Sequence, residues 1–127
     1  MANVKIFIFV ESRYKVNRRK IKQTVHAVLD EKGVSSPSEV SLAFIGDRKM
    51  RALNKKFRNI DKTTNILSFP LIEGEPTVIL GNILRLGDII ISYPQVIKEA
   101  SEEEVLVDDK INQLVRHGML HLLGEHH

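Results

Sequence analysis

The chain has 127 residues, 43% apolar and 28% charged, which fits one globular domain and is too short for two comfortable ones. It has no cysteine, so a disulfide framework and a thiolate metal site are excluded. The net charge of +3 hides a division: residues 1–62 carry a net +9 and residues 63–127 a net −6, which suggests a basic surface for a polyanion.

Val4 to Val10 is β-branched and aromatic and predicts a first strand. It contains Lys5 and is too short to span a bilayer, and no secretory leader is visible, so the expected compartment is the cytoplasm. From Asn17 the period becomes helical, with Ile21, Val25, Val28 and Leu29 on one stripe and Gly33 just past the end. Val40 to Ile45 predicts a second strand. A second helix follows, with Asp47 as its expected N-cap and Met50, Leu53 and Phe57 as its buried stripe. Its other faces are basic through Arg48, Lys49, Arg51, Lys55 and Lys56.

Asn65 to Phe69 predicts a short strand stopped by Pro70. Residues 71–84 are ambiguous, and Gly87 to Ser92 is a clear strand. Pro94 suits the opening of a short helix, and a last helix is expected from about Glu103 to Leu123, with the Glu102-Glu103-Glu104 run at its start and Gly124 as its stop. The order predicts an α+β fold: a small mixed β-sheet of about four strands packed with helices, in a single domain over 1–127.

Four of the five histidines, His117, His121, His126 and His127, fall in the last eleven residues. On a helix, positions i and i+4 share one face, so His117 and His121 flank the apolar stripe and form a half-site for zinc. Gly124 lets the chain turn back, so His127 can return as a third ligand, with His126 as its rival. Three histidines leave a tetrahedral ion an open position for water, the arrangement of a catalytic site. A terminal Glu-His-His also matches the start of an affinity tag. The zinc-protease helix motif has Glu directly after its first His, where this chain has Gly118, so the base of that mechanism is absent. Close approach of another backbone, or of substrate, would account for a glycine inside a helix.

These residues resemble the YbeY family of metal-dependent endoribonucleases. The family signature His-Gly-x-Leu-His-Leu-x-Gly-x-x-His is matched by His117, Gly118, Leu120, His121, Leu122, Gly124 and His127. Phe57-Arg58, Asp61 and Thr64 to Pro70 match a second block, and Leu86 to Ile89 with Ser92 a third. Glu125-His126 stands where the family commonly has Tyr-Asp, and the family usually continues beyond the third His, which would bring a segment over Leu120 and Leu123.

The resemblance implies cleavage of single-stranded RNA, with roles in ribosomal RNA maturation and ribosome quality control. It also implies one Zn²⁺ held by His117, His121 and His127, and an arginine facing it, Arg58. As a chemical reading, Arg58 binds phosphate through its planar fork and stabilises charge in the transition state. The general base is unassigned, with Glu125 and Asp88 in view. The expected partner is ribosomal RNA or the ribosome, held by a basic face from the first two helices. The few aromatics argue for backbone recognition over base stacking. The competing readings are a metal hydrolase of another class, such as a peptidase, and a ribosome assembly factor whose metal is structural.

Overall fold

The computed structural model describes residues 3–11, 13–71, 79–80 and 83–125. The elements run β1 (Val4–Val10), α1 (Arg18–Glu31), β2 (Ser38–Ile45), α2 (Asp47–Arg58), β3 (Ile66–Pro70), β4 (Ile79–Leu80), β5 (Ile83–Ser92), α3 (Tyr93–Glu103) and α4 (Val107–Leu122). The sheet order is β1-β2-β5-β3, with the two-residue β4 beside β5. β1, β2 and β5 are parallel and β3 is antiparallel to β5. The expected α+β class with a mixed sheet of four main strands is borne out.

Strict alternation in β2 divides its side chains between two cores. Val40, Leu42 and Phe44 join Ile89 and Ile91 of β5 against α1 and α4 in the main core. Ala43 and Ile45 face the opposite way, where Met50 and Leu53 of α2 pack with Leu67, Phe69 and Ile90. α1 and α2 therefore lie on opposite faces of the sheet. The basic residues expected to form a face from the first two helices are therefore divided between opposite sides of the sheet.

α4 is the central helix. Ile111, Leu114, Val115, Met119 and Leu122 are buried at helical spacing, so one face is fixed by apolar burial. Its end is a Schellman turn: Gly124 N–H donates to His121 O (3.0 Å) and Glu125 N–H to Leu120 O (3.0 Å). Gly124 has φ +92°, the left-handed conformation this turn requires. Leu120 and Leu123 pack partly buried against the main core.

Three expectations change. The last helix does not begin at Glu103. Glu103 ends α3, and Glu104 takes a left-handed conformation (φ 57°) that breaks the chain before α4. The acidic run is held there by Lys110 of α4, only 7% exposed, whose ammonium pairs with Glu103 (2.8 Å) and Glu99 (3.4 Å). Asp47 is not the N-cap but the first residue of α2, after Gly46. Its carboxylate turns away from the helix and accepts hydrogen bonds from Thr63, Ser92 and Gln95. Phe57 is 55% exposed, its ring meeting Phe69 edge-on at 5.1 Å between centroids, so it lies at the rim of the stripe.

Candidate active site

One cavity of about 420 Å³ is lined by Arg58, Ile66, Leu67, Ser68, Phe69, His117, His121 and Glu125. Three segments meet there: the end of α2, the nearby strand β3, and, from about fifty residues further along the chain, the last two turns of α4 with the residue beyond its stop.

Each is placed for a local reason. Arg58 is the last residue of α2, and Asn59 follows in the left-handed conformation (φ 59°), its N–H closing the helix on Lys55 O at 3.1 Å. Arg58 is thereby held exposed at a helix terminus beside the cavity. In β3, pairing with β5 sets Ser68 opposite Ile89 and Phe69 opposite Asp88. Ile66 and Ser68 therefore point to the α4 side, and Leu67 and Phe69 to the α2 side. On α4, His117 is exposed and His121 half-buried.

Gly118 sets the distance between α4 and the sheet. A Cβ built on it would lie 3.0 and 3.1 Å from Ile89 Cδ1 and Cγ1 and 3.2 Å from Ile66 Cδ1. The close neighbours are thus isoleucine side chains, not another backbone or substrate. This packing brings His121 against β3, where its Nδ1 makes a hydrogen bond with Ser68 Oγ. The same contact leaves no room at 118 for the glutamate of the zinc-protease motif, which would have to enter the core.

Arg58, His117 and His121 are brought together as expected. His126 and His127 lie outside the described residues. Among the described residues no three histidine or carboxylate side chains converge as a metal site. Of the two carboxylates in view as bases, Glu125 lines the cavity and its Oε2 pairs with Lys32 Nζ at 2.6 Å. Asp88 lines a different groove, with Phe7 and Phe9 of β1, and is not at this site. Sequence reading gave Ser68 no role at the site. The two-residue period of β3 puts Ile66 and Ser68 on one face, but that this face meets Gly118 and His121 is set by tertiary packing.

The donor chemistry suits a borderline divalent cation. Two imidazoles one turn apart open on a polar-rimmed cavity, and the ring of one is held at Nδ1 by a hydroxyl. The fold and the cavity thus define a small α+β protein whose central helix presents a histidine pair to an arginine.

A family model described as Endoribonuclease YbeY matches residues 8–127. The chain belongs to the YbeY family. It is 45% identical over 91 residues to an Endoribonuclease YbeY of Allorhizobium ampelinum, covering 72% of this chain and 53% of that protein. It is 40% identical over 109 residues to one from Desulforamulus reducens, covering 84% and 71%. The chain thus spans about half the length of the first relative and more of the second. Among solved structures, a solution structure from Thermotoga maritima matches with a TM-score of 0.63 and 25% identity, covering 97% of this chain and 75% of that one. Among the described residues no helix is long and apolar enough to cross a membrane.

Proposed function

We propose that this chain is, as a single domain, a metal-dependent endoribonuclease that cuts single-stranded RNA in the cytoplasm and acts in ribosomal RNA maturation and ribosome quality control. The observation that carries the reading is the convergence of Arg58 with His117 and His121 on one cavity, in a chain of the YbeY family. His117 and His121, with His127 as third ligand, would hold Zn²⁺. When bound, such an ion supplies Lewis-acid charge beside a phosphodiester.

The protein's own residues supply the rest. Arg58 offers a planar pair of donors to the phosphate oxygens of the strand and stabilises the charge that builds on them. Its exposed place at a helix end lets it reach an extended RNA. Glu125 is the carboxylate within the cavity that can take up a proton, and its ion pair with Lys32 orients it. Arg48, Arg51, Lys55 and Arg58 recur at helical spacing along one stripe of α2. They form a track of positive charge leading to the cavity that would follow the phosphate backbone.

The test is metal content and cleavage of single-stranded RNA for identically purified protein and His117→Ala. Loss of both bound zinc and cleavage is expected. Full metal content and full cleavage in His117→Ala would remove the basis of the proposal.

A further inference from the structure

His121 is held from behind. The Nδ1 nitrogen of its ring meets the hydroxyl of Ser68, which projects from β3 toward α4. Such a pair can share its proton in two ways. Either the hydroxyl donates to an unprotonated Nδ1, or Nδ1–H donates to the hydroxyl oxygen. The first leaves Nε2 protonated and unable to bind a cation. The second leaves Nε2 as the basic nitrogen. Histidines that bind metal commonly give their other N–H to a fixed acceptor, which sets tautomer and ring orientation together.

We infer that Ser68 is a positioning residue for His121: its hydroxyl oxygen accepts the Nδ1–H, selects the tautomer with a basic Nε2 and fixes the ring against β3. Ser68 acts through His121 and touches no reacting atom in this role. Two features of the fold support it. Among the described residues β3 lies at the edge of the sheet beside β5, and its register there is fixed at five consecutive pairs. Gly118, one turn before His121, lets α4 settle onto Ile66 and Ile89, which sets the gap that Ser68 spans. Sheet register, helix approach and hydroxyl together hold one imidazole in one orientation.

The inference rests on the metal reading above, and the experiment separates the two. Long-range ¹H–¹⁵N correlation spectra of metal-free protein report the His121 tautomer directly. The Nδ1–H form is expected in the unaltered chain and a shift toward the Nε2–H form in Ser68→Ala. Zn²⁺ titration of the same samples is expected to show affinity about 10–100-fold weaker in Ser68→Ala. Ser68→Thr, which keeps the acceptor on a strand-favouring residue, should restore both readouts. Ser68→Val, which matches threonine in shape without the hydroxyl, should behave as Ser68→Ala and serves if the alanine variant does not fold. An Nε2–H tautomer in the unaltered protein, or a Ser68→Ala variant with unchanged tautomer and unchanged Zn²⁺ affinity, would overturn the inference. If the tautomer responds to Ser68 while the unaltered chain binds no Zn²⁺, the metal reading fails and with it the purpose assigned to the hydroxyl.

Discussion

Gly118→Ala sets two effects of known sign against each other. Alanine is favoured over glycine inside a helix by about 1 kcal/mol. Against this, the new methyl would sit 3.0–3.2 Å from three carbons of Ile89 and Ile66. Comfortable carbon–carbon contact is about 3.5–4.0 Å, so about half an ångström must be found. Ile66 is half-buried and can move, but Ile89 is completely buried between α4 and the sheet. Overpacking of this kind costs about 1–3 kcal/mol. The contact should win, leaving Gly118→Ala about 1 kcal/mol less stable in urea unfolding. The relief should also be specific. Ile89→Val removes Cδ1, the nearest atom, so the double variant should be more stable than the sum of the singles by about 1 kcal/mol. Because the strain lifts α4 from β3, RNA cleavage should fall in Gly118→Ala and recover in part in the double variant. A Gly118→Ala protein more stable than the unaltered one, with additive behaviour toward Ile89→Val, would refute the close approach.

Gly124→Ala places a side chain at φ +92° with open space around it, so its cost is conformational and about 1 kcal/mol, read as a lower melting temperature. Burial acts to raise the pKa of Asp47, but hydrogen bonds from Ser92, Thr63 and Gln95 and the charge of Lys98 hold it below the usual carboxylate value. Its contribution is therefore complete above the unfolded value of about 4 and is lost as pH falls through the lower folded one. Asp47→Asn should be less stable by about 1–2 kcal/mol at pH 7 in urea unfolding, with the gap closing toward pH 3. Binding of single-stranded RNA should weaken steeply with salt, and Lys55→Glu should reduce that salt dependence; binding indifferent to salt would remove the α2 track.

Most of the fold was legible because its elements obey one period each. β1 is a continuous β-branched and aromatic run. α1 has a complete stripe, a side-chain cap from Asn17 and a left-handed Gly33 at its end. The boundary at Glu104 was hidden because a glutamate takes a left-handed turn that sequence assigns to glycine, and because its cause, the pairing of Lys110 with Glu99 and Glu103, is tertiary. Asp47 misled for a related reason: a carboxylate suited to capping is captured by Ser92, Thr63 and Gln95 instead. The shared basic face failed because charge along a sequence does not say which side of a sheet a helix covers. At the site, the histidine pair was readable from helical spacing, and Arg58 only from the family resemblance. Ser68 was not, since its role depends on the register of β3 against α4.

The central claim is that Arg58 acts on the phosphate while the histidines hold the ion. Arg58→Glu, purified identically to the unaltered protein and measured for both zinc content and initial rate on single-stranded RNA, tests it directly. Arg58 is exposed and has no part in either core, so the variant should fold and keep its zinc. Its cleavage rate should fall by about 10²–10³-fold. A zinc-loaded Arg58→Glu protein that cleaves at the unaltered rate would contradict the claim.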